Sequence, residues 1–380
     1  MALRLKTDWI LFTTIVVMMF FGVVMLYSAS SVMAQLKFGS SWHFFYRQLA
    51  WMAVAIVAMM VLKRTHYRKL HSPTVAFAAI GITLMLLLIV YFVDGAHHRW
   101  IRSGPFLGIQ PSELAKPALV IFLAFFVTLR ARAINTRYTL LPAAMAVGLV
   151  TAAVGVADLG TAIVLIATVA VVFFVAGLEW RYCMIALSLA ALGVIFLVAS
   201  KPYRLARIVH YFDPNDRIVD RLDSRGRIKA YLSTSLTSRD TNYQAEQSKI
   251  AVGAGGPLGL GLMQGRQKLL YLPEAHTDFI YAVVSEELGL VGSLGVLVGF
   301  IIILWRGLRA TVLIPDDFGR YLALGVTTVL VVQAFMNISV VLGMMPNKGI
   351  PLPMISSGGS SLVSTLASLG ILLNVSEHAG

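Results

Sequence analysis

Three titratable side chains lie within five residues of one another in the stretch 272–279. Glu274, His276 and Asp278 could bind a polar ligand or move a proton, since carboxylates and imidazoles are the usual general bases. A metal site is not predicted, because the stretch has one His and no Cys, and no H-x-x-x-H or H-E-x-x-H spacing occurs. Considered alone, Asp278 is more typical of a helix-terminal acid that the macrodipole keeps ionised than of a base. The pattern leaves both roles open.

A second pair of charges stands at the start of an apolar run, in the stretch 110–116. Pro111 and Ser112 are typical of a helix start, which puts Glu113 and Lys116 three residues apart on one helix face. Ionisable groups at such positions are costly and usually functional. A capping acid beside a lysine that reaches the membrane interface is an equally favoured interpretation.

Other polar residues interrupt apolar runs. Asp158 is more typical of a helix cap than of a reactive group. Gln333 and Asn337 are four residues apart and are more typical of hydrogen bonds between helices than of catalysis. The Gly-rich stretch 253–261 lacks the G-x-x-x-x-G-K-[ST] pattern, so ATP binding is not predicted.

The composition identifies the scaffold that must position these residues. Of 380 residues, 58% are hydrophobic and 13% are charged, and the mean hydropathy is +0.80. These values exclude a soluble enzyme and a disordered protein. We predict an all-α polytopic membrane protein with ten transmembrane helices, because ten apolar runs approach the ~17–25 residues that cross a bilayer. The runs are 9–27, 47–62, 74–93, 113–129, 139–157, 159–177, 182–199, 279–304, 319–343 and 353–375.

The distribution of basic residues predicts the orientation. With the N-terminus inside, thirteen Lys and Arg fall in short inner segments and five in short outer ones, which favours both termini inside. The inner set is Arg4, Lys6, Lys63, Arg64, Arg68, Lys69, Arg130, Arg132, Arg137, Arg181, Arg306, Arg309 and Arg320, and the outer set is Lys37, Arg47, Arg99, Arg102 and Lys348. The net charge of +13 therefore indicates topology rather than a nucleic-acid partner.

One domain of 380 residues is predicted, with spans 1–7 in residues 1–199 and spans 8–10 in residues 279–380. The charged segment 200–278 between them is predicted to be a large extracytoplasmic loop, and loops of this length are usually functional. The single cysteine, Cys183, excludes an internal disulfide.

Several short motifs, in this order along the chain, resemble those of the SEDS proteins (shape, elongation, division and sporulation), the family of FtsW, RodA and SpoVE. Pro-Glu-Ala-His within the 272–279 stretch and Pro-Asn-Lys-Gly at 346–349 are more similar to the FtsW branch. The motifs are Tyr27-Ser28-Ala29-Ser30, Gln110-Pro111-Ser112-Glu113 with Lys116, Asp158-Leu159-Gly160-Thr161, Gln247-Ser248-Lys249-Ile250-Ala251, Leu272 to Phe279, Glu286-Glu287-Leu288-Gly289, Pro346-Asn347-Lys348-Gly349 and Ser357-Gly358-Gly359-Ser360-Ser361.

The resemblance implies a peptidoglycan glycosyltransferase of the bacterial cytoplasmic membrane that polymerises lipid II on the outer face during septal wall synthesis. Asp278 matches the family's proposed catalytic aspartate, and one inverting displacement would release undecaprenyl pyrophosphate. The remaining polar residues that we predict to line the substrate cavity are Glu113, Lys116, Arg102, Asp158, Lys249, His276, Glu274, Lys348 and Ser360, and Arg204 is a further outer cation.

Alternative functions remain open at this level. A lipid II flippase or transporter would also carry buried charged pairs, and a RodA-type elongation polymerase or a non-catalytic division scaffold would share the fold. The resemblance implies a class B penicillin-binding transpeptidase as partner, because the chain has no S-x-x-K or K-T-G set of its own. Other divisome or elongasome membrane proteins are further expected partners. No cofactor is predicted, although a divalent cation (Mg²⁺ or Mn²⁺) could accompany the pyrophosphate.

Overall fold

The computed structural model describes residues 7–94, 99–103, 107–213 and 237–379. Within these ranges, nine helices are long and apolar enough to cross a membrane, and a shorter apolar helix of 17 residues, Leu159–Val175, accompanies them. Seventeen residues is the lower end of the ~17–25 that span a bilayer. The predicted polytopic all-α fold is confirmed.

The helices follow the predicted order. They are α1 Trp9–Phe38, α2 His43–Arg64, α3 Pro73–Val93, α4 Pro111–Arg130, α5 Arg137–Ala157, α6 Leu159–Val175, α7 Trp180–Ala199, α8 Pro202–Phe212, α9 Thr237–Gly255, α10 Ile280–Leu313, α11 Asp317–Val341 and α12 Gly359–His378. Two short 3₁₀ helices occupy Tyr67–Leu70 and Ala131–Ala133, and two strands are β1 Ile101–Ser103 and β2 Leu107–Ile109.

The apolar run 139–177 divides where the sequence predicts. Helix α5 ends at Ala157 and α6 begins at Leu159, with Asp158 between them. The Asp158 carboxylate accepts the backbone N–H groups of Gly160 at 2.9 Å and Thr161 at 3.2 Å, so it caps α6. The break follows from this cap, since the residues on either side are equally apolar.

Some elements are longer than the sequence predicts, and others are not predicted at all. Helix α1 continues eleven residues beyond the predicted end of its span, to Phe38, and α10 extends to Leu313. Strands β1 and β2, which periodicity does not predict, pair antiparallel with Arg102 opposite Gly108. The predicted outer loop 200–278 contains two helices, α8 and α9, in its described part.

The centre of the bundle is formed by α4, α11 and α12, whose residues are mostly buried. Helix α4 packs against α3 and α11, and α12 packs against α2. Helix α7 is peripheral, since only Val198 of its twenty residues is buried. Of the predicted site residues, Glu113 and Lys116 lie on α4 and Ser360 on α12, whereas Asp158, Asp278 and Lys348 lie in connections between helices.

We expect segment 237–278 to lie outside and the α10–α11 turn to lie in the cytoplasm, as the basic residues predict. In a Cys183→Ser background, Glu246→Cys on α9 should react with an impermeant thiol reagent in intact cells whose outer barrier is permeabilised. Arg309→Cys, which is also exposed, is the matched inner position and should react only after the cells are lysed. Labelling of Arg309→Cys in intact cells would contradict this topology.

Candidate functional site at the outer ends of the helices

The Asp278 loop is held by hydrogen bonds to its backbone. Asn337 of α11 donates from Nδ2 to the carbonyl of Asp278 at 2.7 Å. The hydroxyl of Ser356 donates to the carbonyl of Thr277 at 2.6 Å. These bonds come from two elements distant in sequence, and they fix the position of the residue without using its carboxylate.

The α11–α12 connection lies directly against the carboxylate. A Cβ atom on Gly349 would stand 2.5 Å from Oδ2 of Asp278, so a side chain at this position would displace the carboxylate. Asn337 Nδ2 also donates to the carbonyl of Ile350, the next residue, at 2.6 Å. One amide therefore joins the Asp278 loop to the connection that carries Lys348.

Asp278 is not the helix-terminal acid that the sequence pattern predicts. Helix α10 begins at Ile280, and Phe279 is its cap residue. Burial raises the pKa of Asp278 to about 7; Arg99 and Arg207 oppose this increase, while Glu274 and Asp158 add to it. The prediction that a helix first turn keeps this carboxyl ionised is wrong, because desolvation outweighs any dipole effect here. The hydrogen bond from Asn337 engages the backbone carbonyl of Asp278 and not its carboxylate, and a base needs an accessible carboxylate lone pair.

Arg99 binds one of the two aspartates and acts electrostatically on the other. Its Nη2 atom contacts Oδ2 of Asp158 at 3.1 Å, and Gln110 Nε2 donates to the same oxygen at 3.2 Å. Burial raises the pKa of the Asp158 carboxyl, but Arg99 and the hydrogen bonds of Thr161 outweigh that effect and hold it below its usual value. Asp158 is therefore both a helix cap and the anchor of an arginine. The Nε of Arg99 is buried without an acceptor in the described structure.

Two more cations complete the site. Arg207 of α8 interacts electrostatically with Asp278, and its Nε is also buried without an acceptor among the described residues. Lys348 interacts with Asp158, and burial lowers its pKa to about 7, with Arg204 and Arg207 lowering it further against the opposing effect of Asp158. Three cations thus share the electrostatic environment of two carboxylates. This excess of positive charge would attract an anionic ligand.

Glu113 and Lys116 form the pair that their spacing predicts. Lys116 Nζ lies 2.6 Å from Glu113 Oε2, and the two side chains are 4% and 1% exposed. Lys116 also donates to Gln333 Oε1 at 2.6 Å, and Gln333 donates to the carbonyl of Pro351 at 2.8 Å. The pair is therefore connected to the α11–α12 connection through an amide side chain.

The predicted site residues His276, Glu274 and Ser360 differ in their burial and their partners. His276 is buried against Phe44, with ring centroids 4.8 Å apart and an unpartnered Nδ1, and burial lowers its pKa. Glu274 is exposed, and its carboxylate accepts the hydroxyl of Thr277 at 2.7 Å. Ser360 accepts the backbone N–H of Gln110 at 3.2 Å, which links α12 to the Asp158 cluster.

Two predicted cations remain, Lys249 and Arg102. Lys249 on α9 is exposed, and its side chain lies against Gly343. Arg102 belongs to β1, but its side chain lies outside the described residues.

Arg204, predicted as a further outer cation, has its guanidinium engaged by backbone carbonyls. Its guanidinium donates to the carbonyls of Gly155 at 3.1 Å, Val156 at 2.8 Å and Leu197 at 3.2 Å. Arg204 therefore satisfies the carboxyl ends of α5 and α7, and its charge also acts on Lys348.

Arg99 and Arg207 are the site residues that the sequence pattern does not single out. The sequence identifies Arg99 only as a positive charge on the outer side. For Arg207 one signal exists: it follows Arg204 by three residues in a helix, so one face carries both guanidinium groups. Nothing in the local sequence indicates that Arg99 meets a residue 59 positions later.

Removing one member of the Glu113–Lys116 pair should be far more damaging than removing both. Lys116→Met leaves a buried carboxylate unpaired, which should cost about 3–5 kcal/mol of unfolding free energy. Glu113→Gln with Lys116→Met should recover most of this loss. Thermal unfolding of the purified protein in detergent measures both effects.

A matched control is the exposed pair Asp317–Arg320, which has the same spacing and an Nη1–Oδ1 distance of 2.9 Å. Arg320→Met should change the unfolding free energy by less than about 1 kcal/mol. Equal, small changes for Lys116→Met and Arg320→Met would show that the buried pair has no structural role.

A family model described as "Cell cycle protein", covering FtsW, RodA and SpoVE, matches residues 8–380. A protein of Geobacter metallireducens named "Probable peptidoglycan glycosyltransferase FtsW" is 38% identical over 378 residues, covering 98% of this chain and 95% of that protein. "Stage V sporulation protein E" of Bacillus subtilis is 36% identical over 384 residues, covering 99% and 98%.

Solved structures give the same result. A chain from a study of "Structural coordination of polymerization and crosslinking by a peptidoglycan synthase complex" superposes with a TM-score of 0.75 at 28% identity, covering 99% of both chains. The rod shape determining protein RodA of Thermus thermophilus superposes with a TM-score of 0.67 at 26% identity, covering 98% of this chain and 97% of that one.

Proposed function

We infer that this chain, which belongs to the family of the FtsW, RodA and SpoVE cell cycle proteins, is a peptidoglycan glycosyltransferase of the cytoplasmic membrane. Relatives that are 38% identical over nearly the whole chain carry this activity in their names. These relatives are named FtsW, whereas the sequence identity to the RodA chain is lower, at 26%. The chain is accordingly FtsW-like, with a role in septal wall synthesis.

We propose that the substrate is lipid II, a disaccharide pentapeptide on undecaprenyl pyrophosphate. The acceptor hydroxyl oxygen forms a bond to the anomeric carbon of the donor, and the bond from that carbon to the pyrophosphate oxygen breaks. The proton passes to the Asp278 carboxylate, and the electron pair leaves with the pyrophosphate. One displacement inverts the anomeric centre, so no covalent sugar–enzyme intermediate forms.

The observation that carries this proposal is the setting of Asp278: a backbone-anchored carboxyl whose pKa is raised to about 7. A base works best when its pKa lies near the working pH. Arg99, Arg207 and Lys348 are the cations available to the leaving pyrophosphate, where preorganised positive charge stabilises the developing anion. Asp158 holds Arg99 in place, and Glu113 and Lys116 support the neighbouring backbone.

In the part of the chain that the structure describes, no group of three or more His, Cys, Asp or Glu side chains could hold a metal ion. Asp158 already accepts bonds from Arg99, Gln110 and Thr161. We propose that Mg²⁺ or Mn²⁺, where it takes part, is held mainly by the phosphates of the substrate.

Asp278→Asn should lower the turnover of lipid II polymerisation by about 10²–10⁴-fold, since an amide cannot accept the proton. Asn retains the size of Asp, so folding and membrane insertion should persist. Asp317→Asn makes the same chemical change at an exposed carboxylate near the opposite membrane face and should leave the rate unchanged. Glycan strands formed by Asp278→Asn at the rate of the parent protein would remove Asp278 from the mechanism.

The pH dependence of kcat/KM should be bell-shaped. The rate rises as pH passes about 7 because the Asp278 carboxyl, whose pKa is about 7, must be ionised to act as a base. It falls at higher pH as Lys348, whose pKa is also about 7, loses its proton and no longer attracts phosphate. Lys348→Arg keeps the charge, since the guanidinium pKa exceeds about 12, and should move only the alkaline limb upward.

Lys69→Arg, an exposed lysine on the opposite side of the membrane, is the control for the pH profile and should change neither limb. An acid limb near pH 4, or an alkaline limb that Lys348→Arg leaves in place, would contradict these assignments.

We propose that a class B penicillin-binding transpeptidase is the partner, as the similarity to a chain of a peptidoglycan synthase complex supports. Lipid II polymerisation by the purified chain, with and without that transpeptidase, tests activity and partner dependence together. Transfer of labelled lipid across vesicles without polymer would favour a flippase instead.

A further inference from the structure

The segment 256–272, between α9 and the Asp278 loop, exposes an unusual number of large apolar side chains. Leu258 is 80% exposed, in a segment that the sequence predicts to be part of an extracytoplasmic loop. The other exposed members are Leu260, Leu262, Met263, Leu269, Leu270 and Tyr271. A water-facing loop seldom carries a contiguous apolar surface of this kind.

The backbone of this segment is satisfied by buried carboxylates of α10. Glu286 Oε1 accepts the backbone N–H groups of Arg266 at 2.7 Å and Gln267 at 3.1 Å. Glu287 Oε2 accepts the N–H of Met263 at 3.0 Å. In a loop surrounded by water these donors would need no such partners, whereas at a membrane boundary they must be satisfied within the protein.

The one buried lysine of the segment is also neutralised internally. Lys268 is 4% exposed, and its Nζ lies 2.6 Å from Glu287 Oε1 and 2.9 Å from Ser28 Oγ. The Ser28 hydroxyl donates to the same carboxylate at 2.7 Å. This cluster ties the segment to the outer part of α1 and of α10.

A break in α10 brings the segment into backbone contact. Gly289 has φ 63°, and a Cβ atom there would stand 2.3 Å from the backbone N of Gly259. Leu290 and Val291 donate their N–H groups to the carbonyls of Gly256 at 2.9 Å and Pro257 at 3.3 Å. The segment is therefore fixed at the level of residues 286–291.

The depth of that level follows from a second contact between α1 and α10. Asp8 Oδ2 lies 2.7 Å from Arg306 Nη2 at the cytoplasmic ends of the two helices. Twenty residues separate Asp8 from Ser28, or about 30 Å of helix, which is the thickness of the hydrocarbon core. The Glu287 cluster thus marks the outer edge of that core.

We propose that segment 256–272 lies in the outer leaflet at the boundary of headgroups and acyl chains, with Leu258, Leu262 and Met263 in contact with lipid. Its exposed side chains continue the apolar surface that α10 presents at Leu290 and Val291, which are 56% and 64% exposed. The occupant of this surface is lipid, because the loop and a membrane-spanning helix form one continuous apolar face. The inference does not depend on the proposed activity.

Fluorescence quenching in bilayers tests this placement without an activity readout. In a Cys183→Ser background, Leu258→Cys and Met263→Cys are labelled with an environment-sensitive fluorophore, and the purified protein is reconstituted into phosphatidylcholine vesicles. Glu246→Cys on α9, exposed in the structure, is the control. Each variant should elute and unfold like the parent protein, since every substituted side chain is exposed.

The labels at positions 258 and 263 should emit at shorter wavelength than the control. They should be quenched by lipid carrying a nitroxide close to the headgroup and protected from aqueous iodide, whereas the label at 246 should show the reverse. Iodide quenching at 258 and 263 equal to that at 246 would overturn the proposal. Protection from both quenchers would also overturn it, because a second copy of the chain would then cover the surface.

Discussion

A charge inside a membrane-spanning bundle must find its partner within the protein, and the architecture of this chain depends on that requirement. Lys116 with Glu113, Lys268 with Glu287 and Arg306 with Asp8 all form contacts of 2.6–2.7 Å. Each such pair is costly to bury and still more costly to break. Because their partners come from different helices, or from a helix and a loop, Lys268 and Arg306 specify which elements pack together.

The site at the outer ends of the helices differs from these pairs in one respect. Asp278, Arg207 and Lys348 share an electrostatic environment, but no ion pair among the described residues ties one of them to another. The geometry is maintained instead through the backbone, by Asn337, Ser356 and the close approach of Gly349. The side chains of these residues are thus left available while their positions are fixed.

Local sequence signals predict the parts of this structure that short-range chemistry determines. The cap at Asp158 and the pairing of Glu113 with Lys116 each follow from residue spacing at the start of a helix, α6 and α4 respectively, and the structure contains both. The membrane spans are likewise predicted from a local signal, the length of each apolar run. The motifs that resemble the SEDS family single out Asp278 as a candidate base, whereas the local pattern alone leaves it open between a helix-terminal acid and a base.

The features that the sequence does not predict depend on contacts between distant positions. Ser28 and Glu287 are 259 residues apart, and Arg99 meets Asp158 across 59. The hydrophobic periodicity of a sequence does not indicate contacts between residues so far apart. The raised pKa of Asp278 likewise comes from burial by several elements together rather than from its neighbours in the chain.

Helices α1 and α10 are joined by polar contacts at two levels, near Asp8 and near Ser28. The spacing between these two buried polar levels is fixed by the helices. The two helices therefore cannot adjust independently to a thinner or thicker bilayer. The lipids must deform instead, at a cost of fractions of a kcal/mol for each ångström of hydrophobic mismatch. The fold therefore carries its own preferred membrane thickness, and the acyl chain length of the surrounding lipid becomes a variable of its stability.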